Sequence, residues 1–358
     1  MSVPSAGSDE SPGSDEPADA GHSHRATRQA TNTTRRGRRA VLVGLLVLVL
    51  VGAAGLVATR AAVWIYDRAV RRDVLLDPDA RAAGSGVAGP LNLLLLGSDK
   101  RRSNPAMGER ADTIIIVHLT RDLDHAFLIS IPRDLLVDIP AQPGTSFPGA
   151  RTKINAAFEY GGAPLVASTL SNLTGIRFDG AAVIDFAGLR AAVTVLGGVR
   201  MCVDTRTVSI HTGAVFEKGC RRMDAKQALD YLRQRDSLPD GDFGRQRHQQ
   251  QFIKALAAEA RRQNLLLHPL KLDRLLRSVA SSLVVDLGDV SVTDLLWSVR
   301  GISEQNLTGI RLPAYSDMID NISYVLAEQP RAPDLFAAVR TDTLAAWASA
   351  NPKWVNRI

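Results

Sequence analysis

The longest uninterrupted apolar run lies near the start of the chain and limits how this chain can fold. Ala40 to Ala58 comprises nineteen residues without a charged side chain. At about 1.5 Å per residue, a helix of that length crosses a hydrocarbon layer about 30 Å thick. A cleavable signal peptide, the alternative, has an apolar core of about 7–15 residues close to the N-terminus. We therefore predict one uncleaved transmembrane helix over residues 40–58.

Charge on either side of this run predicts its orientation. Four arginines precede it, at positions 35, 36, 38 and 39. The positive-inside rule places them in the cytoplasm and the remaining chain outside the cell membrane. Residues 1–39 are rich in Ser, Gly, Pro and Asp where they precede the arginines, and are predicted to form a disordered cytoplasmic tail. Residues 59–90 are predicted to be a stalk or linker, 91–345 an extracytoplasmic folded domain, and 346–358 its C-terminal end.

Short apolar runs alternate with helical patterns after residue 90 and predict an α/β domain. Leu91 to Leu96, Thr113 to Leu119 and Ala126 to Ile131 have the composition of buried strands. Helices and strands follow in alternation, so we expect helices to cover a sheet. The predicted elements are a helix over Pro164–Leu173, a strand over Arg177–Ile184, a helix after Asp185, a strand over Val199–Val203, a helix from Asp224 through Tyr231, a helix over Phe243–Gln263, a strand near Ser282–Asp286, and helices around Val292–Val299 and Arg331–Trp347.

A loop with three arginines is the strongest candidate for a binding site. It runs from Arg233 to Arg245 (RQRDSLPDGDFGR) and is extended by Gln249. Arg235 is two residues after Arg233. Guanidiniums in such a cluster can each donate two hydrogen bonds to phosphate oxygens. Arg245 and Gln249 continue the predicted apolar stripe of the following helix, whose N-terminus would also favour an anion. The alternative is a set of solvated surface arginines.

Further polar residues stand at the ends of the predicted strands. Asp99 follows the first strand and Asp112 precedes the second, so antiparallel neighbours would bring both carboxylates to one edge. Two carboxylates with water and substrate oxygens suit Mg²⁺, although both aspartates also lie in ordinary turn sequences. Arg133 follows the third strand, where α/β sheets present functional groups.

Two cysteines, Cys202 and Cys220, both lie beyond the predicted membrane helix. In an oxidising compartment such a pair predicts a disulfide, and two free buried thiols are the alternative.

Composition excludes several classes of function. The net charge of +6 suits nucleic acid, an anionic membrane or a phosphorylated substrate. With 5% aromatic residues and no basic stripe interleaved with aromatics, nucleic-acid binding is not expected. The sequence has no P-loop, no Gly-x-Ser-x-Gly elbow and no histidine pair at metal spacing.

Several stretches, taken together and in order, resemble the LytR-CpsA-Psr family of cell-wall glycopolymer ligases. They cover about residues 91–260. The matching stretches are Leu93–Asp99 (LLLLGSD), Arg110–Thr113 (RADT), Ser130–Leu135 (SIPRDL), Lys153–Gly162 (KINAAFEYGG), Asp185–Val199 (DFAGLRAAVTVLGGV) and the arginine loop with its helix.

The resemblance implies a fold, a reaction and a set of site residues. It implies a mixed central β-sheet flanked by helices, one N-terminal transmembrane helix, and transfer of a polyprenyl-pyrophosphate-linked glycopolymer to peptidoglycan. It further implies that Asp99 and Asp112 hold Mg²⁺. The residues implied to hold the pyrophosphate are Arg133, Arg233, Arg235, Arg245 and Gln249.

The lipid tail would occupy an apolar tunnel between sheet and helices. The chain departs from the family pattern at His248, where the family often has arginine, and we expect altered charge near the head group. The expected base is Asp99 or, as second choice, Asp134, and Arg133 would act on the reacting phosphate.

Two other functions remain compatible with the sequence. A polyprenyl-pyrophosphate phosphatase would use the same residues with water as the acceptor. A membrane-anchored regulatory or lipid-binding module would use them without catalysis. The polymer could be teichoic-acid-like, arabinogalactan or capsule.

Overall fold

The computed structural model describes residues 70–84, 86–98, 111–235, 238 and 240–358. The predicted cytoplasmic tail, the predicted transmembrane helix and Asp99 lie outside these residues. Within the described ranges, no helix is both long and apolar enough to cross a membrane.

The described chain alternates strands and helices. The strands are β1 (Arg71–Arg72), β2 (Leu91–Ser98), β3 (Ala111–Leu119), β4 (Ala126–Ser130), β5 (Leu136–Ile139), β6 (Ala150–Lys153), β7 (Gly180–Asp185), β8 (Val199–Val203), β9 (Thr207–Val208), β10 (Val215–Phe216), β11 (Gly219–Met223), β12 (Leu283–Asp286), β13 (Leu307–Arg311), β14 (Ala314–Ile319), β15 (Ile322–Ala327) and β16 (Val355–Asn356). The α-helices are α1 (Asn155–Thr174), α2 (Phe186–Val195), α3 (Ala225–Leu232), α4 (Asp242–Arg262), α5 (Pro269–Val279), α6 (Val292–Ser298), α7 (Arg331–Arg340) and α8 (Leu344–Ala350).

The central sheet is mixed, and its strand order is β1-β12-β7-β2-β3-β4-β13-β16. β2 pairs with β3 and β3 with β4 in antiparallel fashion, whereas β2 with β7 and β4 with β13 are parallel. The middle strands are rich in leucine and isoleucine because both of their faces are covered. The predicted α/β class with a mixed central sheet is therefore confirmed.

Helices cover both faces of this sheet. Phe127 and Ile129 of β4 pack into a core that includes Leu165 of α1 and Leu335 of α7. Ser130 points to the opposite face, because side chains alternate along a strand. There its hydroxyl accepts a hydrogen bond from the Gln250 side chain of α4 at 2.8 Å. Helix α4 thus lies on the face opposite α1 and α7.

Gln250 is fully buried and ties α4 to three strands. Its Nε2 donates to the carbonyl oxygens of Leu128 and Ile310 at 2.8 and 2.9 Å, and its Oε1 accepts from Asn356 at 2.8 Å. The apolar stripe that the sequence predicts for α4, Ile253, Leu256 and Ala260, is half-buried, whereas Phe252 and Ala255 are buried. A polar anchor, rather than the apolar pattern, orients this helix.

The folded domain includes residues before position 91, and its C-terminal end contributes a strand to the central sheet. At the N-terminal end, β1 pairs with β12, and Leu76, placed in the stalk by the sequence, is 1% exposed. At the C-terminal end, β16 pairs with β13. Two-residue strands carry too little pattern to be recognised from sequence, yet each extends the sheet.

Other element limits also differ from the predictions. Helix α1 begins at Asn155 rather than Pro164, with a break at Gly161 and Gly162, where φ of Gly162 is 64°. The predicted single helix over Arg331–Trp347 is two helices, and Asp342 between them has a φ of 56°. Positive φ interrupts helical hydrogen bonding at both places.

Candidate active site

The polar residues predicted from the sequence lie together where several strands of the central sheet begin or end. We call this end of the sheet its edge. β3 starts at this edge and β4 ends there, because the two strands are antiparallel. β13 ends beside β4, since Arg311 is the Cα partner of Ser130. β2 also ends there: Ser98, directly before Asp99, is paired with Ala111, directly before Asp112. The first turn of α4 completes the edge.

Arg133 lies at the centre of this site. Its Nη1 donates to Asp112 Oδ1 at 2.5 Å, and its Nε is 3.7 Å from Asp134 and 3.8 Å from Asp242. Burial by itself lowers the pKa of Arg133, but the three carboxylates, Asp112 foremost, raise it above its usual value. The guanidinium is therefore charged and half-buried.

Arg245 enters the same site from α4 and is 8% exposed. Its Nη2 is 2.6 Å from Asp242 Oδ1 and donates to the Asp112 carbonyl oxygen at 3.2 Å. The pKa of Arg245 is lowered, first by burial and then by the positive charges of Arg133 and Arg235, against the opposing effect of Asp242 and Asp112. Its Nε is buried without a hydrogen-bond partner. The site thus holds guanidiniums close enough to repel one another.

Arg233 and Arg235 lie where α3 ends, and Arg235 is close enough to Arg245 to lower its pKa. Arg233 is the C-cap residue of α3, and its Cζ lies 5.6 Å from the centroid of the Phe186 ring. Arg235 is exposed. Gln249 is half-buried, one helical turn after Arg245 on α4.

A buried polar network holds the segment that carries these two arginines. Gln234, between them, is 0% exposed, and its Nε2 donates to Ser209 Oγ and to Asp230 Oδ1, both at 3.0 Å. Asp230 also accepts from Ser209 Oγ at 2.7 Å and Thr212 Oγ1 at 2.5 Å. Arg233 and Arg235 are therefore fixed through the residue between them.

Asp134 is held by cations on both of its oxygens. Oδ1 is 3.1 Å from Lys153 Nζ at the end of β6, and Oδ2 faces Arg133 Nε. Both contacts lie within the stretches SIPRDL and KINAAFEYGG, so their short distance follows from the pairing of β5 with β6.

Three residues of this edge were not assigned a role from the sequence: Asp242, Lys153 and Arg311. Asp242 and Lys153 lie in or next to the recognised motifs, so their charge could have marked them as site residues. Arg311 lies far along the chain, in a stretch to which the sequence assigned no chemistry. Its guanidinium carbon lies over two rings, 5.2 Å from the Phe243 centroid and 4.7 Å from that of Trp354.

His248 is a buried, neutral side chain, whereas an arginine at this position would add a positive charge. It is 2% exposed and stacks on Tyr231 with ring centroids 4.1 Å apart. The Tyr231 hydroxyl and His248 Nε2 are 2.9 Å apart. Burial, reinforced by Arg247, lowers the pKa of His248 to about 4, so the ring is neutral at pH 7. This side chain joins α3 to α4.

The described residues contain no group of three metal-ligating side chains. Asp112 has the oxygen chemistry that Mg²⁺ prefers, and its side chain is 22% exposed at the rim of the site. It therefore fits as one ligand of such an ion, and the implied second ligand, Asp99, lies outside the described residues.

A cavity of about 610 Å³ lies at some remove from this edge, between β8 and α4. Its lining includes Arg200, Arg222, Lys254 and Glu259. Hydrogen bonds from Arg262 and Arg222 lower the pKa of Glu259 to about 2. β8 belongs to a separate two-stranded sheet, so this cavity is not the predicted lipid tunnel between central sheet and helices, and that tunnel stays a prediction. Cys202, which also lines the cavity, is joined to Cys220 by a disulfide between β8 and β11.

Comparison with known proteins gives a consistent family. The model of the LytR_cpsA_psr family matches residues 65–341. Among curated relatives, the polyisoprenyl-teichoic acid–peptidoglycan teichoic acid transferase TagU of Enterococcus faecalis is 34% identical over 47% of this chain and 52% of its own. The regulatory protein MsrR of Staphylococcus aureus is 30% identical over 65% of this chain and 68% of its own. The match thus spans about half of the transferase and two thirds of MsrR.

The fold also matches solved structures. The crystal structure of protein gbs0355 from Streptococcus agalactiae superposes with a TM-score of 0.64 at 22% identity, covering 71% of this chain and 87% of that one. The family match covers most of the chain and includes every described residue of the site. The chain therefore belongs to the LytR_cpsA_psr family.

Proposed function

We propose that this protein is a membrane-anchored phosphotransferase that attaches a polyprenyl-pyrophosphate-linked glycopolymer to peptidoglycan through a phosphodiester. The observation that carries the proposal is the buried guanidinium of Arg245 beside Arg133 and Arg235. An anion with several oxygens would offset their mutual repulsion and satisfy the unpaired Nε of Arg245. The name of the Enterococcus faecalis relative supports a polyisoprenyl-linked polymer as donor.

In the proposed complex, the pyrophosphate lies among Arg133, Arg233, Arg235, Arg245 and Gln249. We add Arg311 to this set, because its strand ends beside β4 and its pKa is lowered, first by burial and further by Arg247. Asp112, together with Asp99, would hold Mg²⁺, which when bound neutralises charge on phosphate oxygens. The pairing of Ser98 with Ala111 favours a shared role for these two aspartates.

The proposed reaction is a displacement at phosphorus. A hydroxyl oxygen of peptidoglycan attacks the phosphorus that carries the glycan, and a new P–O bond forms. The bond from this phosphorus to the bridging oxygen breaks, and polyprenyl phosphate leaves with that oxygen. The arginines stabilise the charge that develops during the displacement.

The hydroxyl proton passes to a carboxylate. Asp99 is the preferred base, because Asp134 has cations at both oxygens, which suits a positioning role for Asp134.

Membrane anchoring rests on the apolar run over residues 40–58 and the arginines before it. The disulfide between Cys202 and Cys220 supports an oxidising compartment for the domain. We therefore propose a cytoplasmic N-terminus and an extracytoplasmic site.

A regulatory module is the second candidate, because one relative is named a regulatory protein. A transfer assay separates the two. The purified full chain is incubated with polyprenyl-pyrophosphate-linked teichoic acid and peptidoglycan, with and without Mg²⁺. We expect a Mg²⁺-dependent peptidoglycan conjugate, and we expect Arg235→Ala to lower its rate by about tenfold to a hundredfold. Arg235 is exposed, so its removal should leave the fold intact.

The matched control is Arg277→Ala on α5, an exposed arginine that pairs with Asp273 at 2.8 Å. Its rate should equal that of the unaltered protein. Release of phosphorylated glycan without a conjugate would establish a phosphatase instead. Donor binding without turnover would favour the regulatory module.

A further inference from the structure

The β14–β15 hairpin lies beside the site without joining the central sheet. Its two strands pair only with each other in a separate two-stranded sheet of the described residues, apart from an isolated bridge between Val325 and Leu135. The backbone N–H of Val325 donates to the Asp134 carbonyl oxygen at 2.9 Å. The hairpin is therefore fastened to the loop that carries Arg133 and Asp134.

One face of this hairpin exposes aromatic and apolar side chains. Direct cross-strand partners and residues two apart share a face. The register pairs Tyr315 with Leu326, Asp317 with Tyr324, and Ile319 with Ile322. We call these six residues the tyrosine face. Tyr315 is 51% and Ile322 48% exposed.

The tyrosine face begins where the anion site ends. Lys153 Nζ lies 5.7 Å from the centroid of the Tyr324 ring and 3.1 Å from Asp134 Oδ1. Asp134 in turn faces Arg133 at 3.7 Å. A molecule on the tyrosine face would thus extend to the atoms proposed to hold the reacting phosphate.

The hairpin differs in charge from the arginine cluster. Between Ala314 and Ala327 the chain has two aspartates, Asp317 and Asp320, and no lysine or arginine. Anionic lipid head groups and polymer phosphates are therefore disfavoured here. Neutral sugar rings fit, because their C–H faces pack on tyrosine rings and their hydroxyls can donate to Asp317.

We propose that the tyrosine face binds the glycan strand of peptidoglycan and so presents the acceptor to the site. This inference rests on the proposed transfer, in which the donor is held by the arginines. An exposed apolar patch next to a reaction centre commonly marks an interaction site. The two substrates would then approach from two sides: the anionic donor from the arginines, and the neutral sugar rings of the acceptor from the hairpin.

The test compares two exposed residues on opposite faces of the hairpin. Full-length protein is sedimented with purified insoluble peptidoglycan from which attached polymer has been removed. Tyr315→Ala should weaken binding about tenfold. Met318→Ala, which removes a side chain that is 60% exposed on the other face, should leave binding unchanged. Asp317→Asn should also weaken binding.

Transfer kinetics provide the second measurement. Tyr315→Ala should raise the half-saturating peptidoglycan concentration about tenfold and leave that of the lipid-linked donor unchanged. Equal peptidoglycan binding by Tyr315→Ala and the unaltered protein would overturn the inference. So would a Tyr315→Ala variant that loses binding to anionic phospholipid vesicles but still binds peptidoglycan.

The two proposals fail in different ways. If peptidoglycan sediments with the protein through Tyr315 but no conjugate forms, the transfer reaction is wrong and the acceptor face stands. If Tyr315→Ala forms a conjugate with the same dependence on peptidoglycan concentration as the unaltered protein, the transfer reaction stands and the acceptor face is wrong.

Discussion

Arg311 differs from the other arginines at the sheet edge in how it is held. Arg133 and Arg245 contact carboxylates, whereas Arg311 is positioned by the flat faces of Phe243 and Trp354. Its Nε is buried without a hydrogen-bond partner. Stacking fixes the plane of a guanidinium without neutralising it. The arrangement leaves its charge available to a ligand.

Replacing Arg311 by lysine should therefore impair donor binding although the positive charge is kept. An ammonium group can neither stack as a plane nor fork onto two oxygens. We expect the half-saturating donor concentration to rise about tenfold, measured with lipid-linked polymer at saturating peptidoglycan. Lys353→Ala is the control, since Lys353 also lies over Trp354, at 4.7 Å, but is exposed. Unchanged donor dependence in Arg311→Lys would remove Arg311 from the proposed site.

Among individual residues, the charged side chains that lie within continuous sequence motifs could be predicted as site residues. Arg133 and Arg245 could be singled out because neighbouring residues form recognisable patterns. Arg311 could not, because its place at the same end of the sheet depends on the pairing of β13 with β4. Such pairing joins residues far apart in the chain, and it cannot be predicted from residue type or local spacing.

Among the elements, the end of α3 has the clearest link between structure and proposed activity. Arg233 and Arg235 project from a segment whose middle residue, Gln234, is bound into the network of Asp230 and Ser209. The network therefore sets the direction of the two arginines without itself facing the substrate. Gln234 is in this sense a positioning residue.

Gln234→Ala should raise the half-saturating donor concentration about tenfold, with a smaller change in turnover. The control is Gln227→Ala in the same helix, where Gln227 Oε1 accepts from the Asp224 backbone in the capping box at α3's start. That substitution lowers helix stability by about 1 kcal/mol but leaves the arginine segment in place. If both variants weaken donor binding equally, Gln234 acts only through stability.

Local rules predicted this helix start correctly, since a capping box needs only residues four positions apart or fewer. They failed at α1 and at the division between α7 and α8. In both places the backbone bends at a residue with positive φ, Gly162 or Asp342, and helix is present on both sides of the bend, which the local pattern did not show. β1 and β16 were missed for another reason: two residues carry too little pattern, and pairing with a distant part of the chain defines each strand.

At the scale of the whole molecule, the contact between Tyr231 and His248 links stability to pH. The folded protein holds His248 neutral, because burial lowers its pKa from 6.5 to about 4. The unfolded chain takes up a proton at higher pH than the folded chain does. Stability from this contact is therefore complete above pH 6.5 and is lost as pH falls toward 4.

We expect the free energy of unfolding to drop by about 3 kcal/mol over that interval on account of His248. Urea unfolding at pH 4, 5, 6 and 7 measures it. His248→Gln, which does not titrate, should show a shallower dependence on pH. His211→Gln, an exposed position, serves as control. Parallel pH curves for the unaltered protein and His248→Gln would contradict the assignment.

The position of β13 has a consequence for how the chain is made. β4 already carries one side of the site when residue 130 has been synthesised, but its parallel neighbour comes only with residues 307–311. Until then the edge of β4 has unpaired backbone groups, and Arg311 is absent. A chain that terminates before Leu307 would keep Arg133 and Arg245 yet present an open strand edge, which promotes self-association. The last fifty residues therefore complete the sheet and the site at the same time, so neither is whole until the end of the chain has folded.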